Sequence, residues 1–192
     1  MKLILGSQSP RRRELLARLG LEFDIKVADI DETMDGAIAP KVEVARISKE
    51  KALEIGRISP EDALIITADT IVVLDEKVLG KPKSSEDAVS MLTALSGREH
   101  QVMTAVTLGK DGQFDTFVET TSVTFRQVLP HEIACYVASG EPLDKAGSYG
   151  IQGLGGAFVA GIQGDYYNVM GLPICALSQR LRAHGVAIFQ ES

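Results

Sequence analysis

The stretch that most limits the fold of this chain is residues 63–74. Its sequence, ALIITADTIVVL, is apolar except at Thr67, Asp69 and Thr70. A nearly continuous apolar run predicts a β-strand that is buried on both faces, which requires packed layers on both sides of its sheet. The 192 residues are enough for one substantial α/β domain or for two small lobes around a cleft.

The rest of the chain mixes helix, strand and hairpin patterns. Apolar spacing predicts helices over residues 11–19, 41–55, 130–139 and 173–184, and another that starts at the Ser84 cap and ends at Ser96. Strands are predicted at residues 3–5 and 23–27. Residues 100–108 and 114–125 predict a long hairpin with a tight turn at Asp111-Gly112. This mixture predicts an α/β fold with a mixed sheet.

Composition narrows the class of partner. The net charge of −6 argues against a nucleic-acid binder, because such proteins usually present a net basic face. Cys135 and Cys175 lack metal-ligand spacing, and we expect both to pack inside a reduced, cytosolic protein. No signal peptide is evident, and no apolar stretch approaches the ~20 residues of a membrane span. We therefore expect a cytoplasmic protein that binds a small molecule.

The junction at residues 3–13, LILGSQSPRRR, predicts a strand that runs into a helix. Ser9 fits the N-cap position and Pro10 the first helical position. The first turn then carries Arg11, Arg12 and Arg13, although a helix N-terminus prefers negative charge. Free N–H groups together with guanidinium groups suit a phosphate, so an anion site is predicted. The alternative is a plain helix start with solvated arginines.

Asp69 is the sharpest single position, because it interrupts a strand that is otherwise apolar. A buried carboxylate is costly unless a metal, a cation or a hydrogen bond compensates it. We interpret Asp69 as functional, with a satisfied structural aspartate as the alternative. Thr70 points to the other face of the strand, or reaches a ligand if the strand ends there.

Two further sets of charged residues are candidates for polyphosphate chemistry. Carboxylates at Asp29, Asp31, Glu32 and Asp35 suit Mg²⁺ or Mn²⁺, although a solvated acidic loop is the better explanation of this segment on its own. Lys51 lies in a predicted helix, where a lone lysine usually faces solvent, and Lys81 is held in a restricted loop between Gly80 and Pro82. Lysines fixed on loops are common phosphate contacts.

Gln152 stands in the glycine-flanked stretch YGIQG. Its amide has a donor and an acceptor, which suits the edge of a nucleobase, and glycine allows a close approach of the backbone to a ligand. Glycines also simply make turns. Asp165, Tyr166 and Asn168 are equally compatible with a cleft, the core or the surface.

Short motifs follow one another along almost the whole chain: SQSPRR from Ser7, KEKA from Lys49, ADT from Ala68, GKP from Gly80, LSG from Leu95, VMTAV from Val102, DKAG from Asp144, YGIQG from Tyr149 and GDYYNVMGLP from Gly164. Each motif is weak alone. In this order and together they resemble the Maf family of nucleoside triphosphate pyrophosphatases.

The resemblance implies an elongated α/β fold similar to that of inosine triphosphate pyrophosphatases. Its sheet is mixed and strongly twisted, with flanking helices and two lobes around a central cleft. It implies one domain over residues 1–192, and usually a homodimer. The implied reaction hydrolyses the bond between the α and β phosphates of a nucleoside triphosphate with a divalent metal, Mg²⁺ or Mn²⁺. The products are a nucleoside monophosphate and pyrophosphate.

Residue roles also follow from the resemblance. Asp69 matches the catalytic aspartate, which accepts a proton, and together with Glu32 it is a candidate metal ligand. Six residues are expected to bind phosphate: Ser7, Ser9, Arg11, Arg12, Lys51 and Lys81. Arg12, Thr70 and Gln152 match positions that are linked to base choice. Arg13 extends the usual arginine pair and is expected to be surface charge.

The forms ADT and YGIQG are similar to the branch of the family that acts on dTTP and UTP. Three readings remain open: a dTTP and UTP pyrophosphatase that cleans the nucleotide pool, a 7-methyl-GTP pyrophosphatase, and a nucleotide-binding regulator without turnover, linked to cell-division arrest. Asp69 favours an enzyme, because a regulator needs no water-activating carboxylate. Thr70 and Gln152 argue against 7-methyl-GTP.

Overall fold

The computed structural model describes residues 1–189, and the long apolar run lies at the centre of its sheet. Within these residues the sheet has seven strands: β1 (Leu3–Gly6), β2 (Asp24–Ile25), β3 (Leu64–Leu74), β4 (Lys77–Leu79), β5 (Glu99–Lys110), β6 (Gln113–Phe125) and β7 (Val159–Gln163). Their order is β2-β1-β3-β5-β6-β7, and β4 also pairs with β3. Strand β1 is parallel to β2 and β3, whereas the other pairs are antiparallel. The predicted mixed sheet is confirmed.

Helices flank this sheet on both faces. They are α1 (Pro10–Ala17), α2 (Pro40–Arg57), α3 (Ser85–Leu95), α4 (Pro130–Ala138), α5 (Tyr166–Met170) and α6 (Ile174–Ala183). Short 3₁₀ helices occur at Glu141–Asp144, Ala146–Ser148 and Leu154–Phe158. The predicted caps are present: the Ser9 and Ser84 side chains accept backbone N–H groups at the starts of α1 and α3.

The two faces of β3 pack against different layers. On one face, Ile65 packs with the inner side of α2, as do Ile71 and Val73 further along. The other face carries two separate apolar cores. Leu64 and Ile66 belong to a core with α1 and α6, whereas Val72 and Leu74 belong to one with α3 and α4. The expected two lobes are therefore two cores that share one long strand.

The edge of β3 that faces β1 is interrupted in the middle. Strand β1 pairs with β3 only from Leu64 to Thr67, and β4 pairs with it only from Val72 to Leu74. In the described part of the chain, no strand pairs with residues 68–71 on that edge. Asp69 and Thr70 lie in this gap, where side chains of both faces are accessible to one ligand.

Some expectations fail for identifiable reasons. The predicted strand at residues 23–27 is limited to Asp24–Ile25, because β1, its partner, is itself short. Strand β7 and helix α5 are not predicted, because they lie in the glycine-rich segment and show no clear apolar periodicity. Strand β7 is defined by its pairing with β6. The packing role expected for Cys135 and Cys175 is wrong, since both are exposed thiols.

Within residues 1–189, no helix has the length and apolar character to cross a membrane.

Candidate active site

A cleft of about 1290 Å³ opens at the gap in the β3 edge. Its walls come from the ends of β1 and α1, the acidic segment before α2, the middle of β3, and the loops at 80–81, 144–152 and 169–171. The cleft brings together all ten predicted site residues: Ser7, Ser9, Arg11, Arg12, Glu32, Lys51, Asp69, Thr70, Lys81 and Gln152. These residues come from six separate segments of the sequence, and folding brings their side chains to one cleft.

An ion pair lies where β3 faces helix α2. The Lys51 ammonium is 2.8 Å from Oδ1 of Asp69, and the two side chains are 11% and 12% exposed. The same ammonium is 3.1 Å from Oε2 of Glu32, whose side chain is largely exposed. Of the three kinds of compensation expected for Asp69, the structure shows a cation, because the Lys51 ammonium contacts this buried carboxylate and the exposed one of Glu32.

Arg12 is anchored from the other face of β3. Its Nε donates to the carbonyl of Gly171 at 2.8 Å, and its Nη2 donates to Oγ1 of Thr70 at 2.9 Å. A longer contact, 3.4 Å, joins Nη1 to Oγ of Ser7. Desolvation lowers the pKa of the Arg12 guanidinium, and the nearby charge of Asp69 partly offsets this. The group stays cationic, because arginine titrates far above neutral pH.

Behind Thr70, a network of buried hydrogen bonds extends from its hydroxyl group into the core. Thr70 Oγ1 is 2.9 Å from Oγ1 of Thr104, which donates to the carbonyl of Asn168 at 3.0 Å. The Asn168 amide donates in turn to the carbonyl of Val102 and to Oγ1 of Thr121, both at 3.0 Å. The network links β3, β5, β6 and α5. It therefore fixes the side-chain position of Thr70 from behind.

The acidic segment is held by contacts that the sequence analysis did not identify. Glu43 is buried in the first turn of α2, where its carboxylate accepts the N–H of Asp35 and contacts Arg46. Arg46 also donates to the carbonyl of Thr33 at 2.9 Å. Hydrogen bonding to Arg46 lowers the pKa of Glu43 and raises that of Arg46. The i, i+3 spacing of Glu43 and Arg46 on one helix is the signal that was available.

The family follows from comparison with known proteins. The family described as "Maf-like protein" matches residues 2–184. The chain belongs to this family.

Curated relatives of this Maf-like chain match it over nearly their full length. A protein of Bacillus pumilus (strain SAFR-032) named "dTTP/UTP pyrophosphatase" is 47% identical, covering 98% of this chain and 99% of its own. A Vibrio parahaemolyticus protein with the same name is 49% identical, over 95% and 96% respectively. Among solved structures, a dITP/XTP pyrophosphatase from Mycobacterium abscessus covers 96% of both chains at 15% identity and a TM-score of 0.47. A likeness that distant adds nothing to the site.

Not every candidate of the Maf-like chain reaches the cleft. Arg13 is exposed and does not line it, as expected of surface charge. Asp31 accepts the N–H of Thr33 at 2.9 Å and serves the local turn. Asp165 caps α5 by accepting the N–H of Tyr167 at 2.7 Å, and Asn168 is fully buried. For Asp165 and Asn168, the structural alternative holds.

The cleft offers a divalent cation a small set of carboxylates. Within residues 1–189, no group of three or more His, Cys, Asp or Glu side chains is arranged to hold a metal ion. Mg²⁺ usually needs fewer protein ligands, because it binds one or two carboxylates together with water and substrate phosphates. Asp69 and Glu32, which meet at the Lys51 ammonium, form such a pair. These residues fit a cation that enters together with a polyphosphate.

Proposed function

We propose that this protein is a nucleoside triphosphate pyrophosphatase that hydrolyses dTTP and UTP to the nucleoside monophosphate and pyrophosphate. The observation that carries this proposal is the buried Asp69–Lys51 pair at the gap in β3, next to the N-terminus of α1. It places a carboxylate beside several cations at the positive end of a helix, which together suit a phosphate chain. The substrates come from the names of the relatives.

In this proposal the cleft first neutralises the triphosphate. Arg11, Arg12, Lys51 and Lys81 supply cations from separate walls, and the Ser7–Ser9 segment supplies hydroxyl and N–H groups. Positive charge placed where charge develops in the transition state lowers the barrier to departure of pyrophosphate. The four cations come from three segments, namely α1, α2 and the loop at 80–81, so a triphosphate would contact several walls of the cleft at once.

The chemical step needs a water molecule aligned with the α-phosphorus. The water oxygen forms a bond to that phosphorus while the bond to the bridging α–β oxygen breaks. The bridging oxygen and its electron pair leave with pyrophosphate. Asp69 accepts the proton of the water, and Lys51 balances the charge of the carboxylate before the step. A divalent cation held by Glu32, Asp69 and phosphate oxygens would supply further charge neutralisation.

The choice of base is assigned to Thr70 and Arg12, beside Asp69, together with Gln152 on its loop. Thr70 and Arg12 form one wall, and the Gln152 amide offers a donor and an acceptor to a pyrimidine edge. Homodimeric assembly and a cytoplasmic location complete the proposal. They rest on the family resemblance and on the reduced cysteines.

A nucleotide panel with purified protein and Mg²⁺ or Mn²⁺ tests this function. The panel contains dTTP, UTP, CTP, ATP, GTP and 7-methyl-GTP, with pyrophosphate and orthophosphate measured separately. Selective release of pyrophosphate from dTTP and UTP is the expected result. Orthophosphate would place the attack at the terminal phosphate, and turnover of 7-methyl-GTP alone would refute the base assignment. Binding of dTTP without turnover would instead identify a regulator.

A further inference from the structure

The loop that carries Gln152, residues 150–155, is held by a side chain outside the cleft. The carboxylate of Glu141, in the 3₁₀ helix Glu141–Asp144, accepts the N–H of Leu154 at 3.0 Å and that of Gly155 at 3.3 Å. These two N–H groups lie just after Gln152 in the chain. Glu141 thereby fixes the far end of the loop.

A tyrosine extends the same contact to the near end. The Tyr136 hydroxyl donates to Oε1 of Glu141 at 2.9 Å and accepts the N–H of Gly150 at 3.1 Å. One carboxylate and one hydroxyl therefore hold both ends of the loop. Gln152, between them, is exposed and lines the cleft, and among the described residues its side chain makes no hydrogen bond.

The glycines of the loop are explained by this contact. A Cβ atom on Gly153 would lie 2.5 Å from Cδ and Oε2 of Glu141, and one on Gly155 would lie 2.6 Å from the Tyr136 hydroxyl. No side chain fits at these separations, so glycine is required for the carboxylate to reach the backbone. A glycine-rich loop is intrinsically flexible, and its order depends on such external contacts.

The charge of Glu141 is stable in this setting. Burial raises the pKa of the carboxyl, but the N–H groups of Leu154 and Gly155 and the Tyr136 hydroxyl lower it by more. Its pKa is therefore below the ordinary value, and Glu141 is ionised near neutral pH. An ionised carboxylate accepts all these hydrogen bonds at once, because it has no proton of its own to place.

We propose that Glu141 is a positioning residue for base selection, which orders the 150–155 loop so that Gln152 meets the nucleobase. This inference rests on the proposed function, in which Gln152 reads a pyrimidine. Glu141 touches neither the base nor the phosphates in this scheme. Its effect reaches the substrate through the 150–155 loop, whose exposed polar side chain in the cleft is Gln152, so it alters selectivity and leaves hydrolysis of the phosphate chain intact.

The test compares Glu141→Gln with Glu132→Gln. The first variant replaces one acceptor oxygen by an N–H₂ group that faces a backbone N–H. The second is a matched control, because Glu132 also accepts a backbone N–H, that of Leu129, and pairs with Arg126 away from the cleft. Each protein is assayed with dTTP, with dATP and with methyl triphosphate, which has the phosphate chain without a base. Amide hydrogen exchange of residues 150–155 is measured on the free proteins.

We expect Glu141→Gln to lower the dTTP-to-dATP ratio of kcat/KM about tenfold, mainly through KM, because hydrogen-bonded recognition of the base is lost. Cleavage of methyl triphosphate should stay within about twofold of wild type, and exchange of the loop amides should accelerate. Glu132→Gln should change none of these. In a Gln152→Ala background, Glu141→Gln should have no further effect on the ratio.

Two results would overturn the proposal. One is an unchanged ratio with unchanged loop exchange; the other is an equal loss with dTTP and methyl triphosphate, which indicates a general structural role. If the wild-type protein turns over no nucleotide, the proposed function fails separately. Binding of dTTP against dATP, by calorimetry with both variants, then decides whether Glu141 governs selection.

Discussion

The two ends of the cleft are built in different ways. At the charged end, Asp69, Lys51 and Arg12 are placed by a central strand and two helices, and each charged group has partners within 3 Å. At the other end, Gln152 is carried by a glycine-rich loop that depends on the carboxylate of Glu141. Groups on regular elements are held more precisely than groups on loops. The charged groups and Thr70 are thus held on regular elements, whereas Gln152, the third residue proposed to contact the base, is held on a loop.

The sharpest way to separate the two ends is Asp69→Asn. The amide cannot accept a proton from water, so we expect kcat for dTTP to fall by ~10³-fold, within the range for loss of a general base. Affinity for dTTP and the preference for dTTP over dATP should persist in binding measurements. Pyrophosphate release and calorimetry provide the two readouts.

The control for this variant is Asp111→Asn at the tight turn of the β5–β6 hairpin. Asp111 has a positive φ of 50°, a conformation that asparagine also tolerates. It lies outside the cleft, so its turnover should match wild type. Near-normal turnover by Asp69→Asn would refute the catalytic assignment.

A second variant, Lys51→Met, tests whether the charged end also stabilises the fold. It leaves Asp69 buried without its nearest cation, and we expect the free energy of unfolding to fall by about 3 kcal/mol. We also expect kcat/KM to drop by ~10²-fold, because one group that stabilises the charge of the phosphate chain is lost. Urea denaturation and steady-state kinetics measure the two effects.

Lys49→Met is the matched control, because Lys49 is exposed on the same helix. It should change stability by less than about 0.5 kcal/mol, as is usual for surface substitutions. If both lysine variants behave alike, Lys51 has no special role.

Near the loop, the buried His100 should make the free energy of unfolding depend on pH. This side chain is buried beneath the cleft wall, where its Nε2 is 2.8 Å from the Tyr149 hydroxyl. Burial lowers the pKa of His100 from 6.5 to about 4, so the folded protein keeps the ring neutral while the unfolded chain takes up a proton. The stabilisation is full above pH 6.5 and is lost as the pH falls towards 4, by on the order of 2 kcal/mol at pH 4.5.

His100→Gln removes the titration while its amide still reaches Tyr149. Its free energy of unfolding should change less between pH 6.5 and 4.5 than that of wild type. His131→Gln, at an exposed position in α4, should retain the wild-type slope. Equal slopes for all three proteins would show that His100 does not titrate differently on folding.

The smallest effect is expected behind Thr70, at the buried Thr104. Thr104→Val removes two buried hydrogen bonds, to Thr70 and to the Asn168 carbonyl, and we expect a loss of about 1–2 kcal/mol. The urea midpoint should fall at an unchanged m-value. Thr116→Val, which removes a half-buried hydroxyl contact to Thr107, should cost less. A larger effect in the Thr116 variant would contradict the assigned importance of the Thr104 network.

More residues of the charged end than of the loop could be predicted from the sequence. Asp69 stands out because a carboxylate in an apolar strand is costly, and the arginines of α1 stand out because they oppose the helix dipole. Glu141 and Tyr136 give no such signal, because a glutamate near a turn and a tyrosine in a short helix are ordinary. Their partners are backbone N–H groups, which carry no side-chain identity. The same holds for β7, which has no apolar alternation of its own.

The pairing register of β3 with β5 decides which side chains stand in the gap at the edge of β3. Asp69 and Thr70 are consecutive, and they point to opposite faces because side chains alternate along a strand. A slip of one residue between β3 and β5 would exchange all the side chains of the strand between its faces. It would turn Asp69 towards Arg12 and place Thr70 against Lys51, so the carboxylate would lose its ammonium as the arginine lost its hydroxyl partner. The proposed catalytic and base-selecting roles therefore depend on the same strand register, and we expect a single-residue insertion or deletion within 68–71 to abolish both.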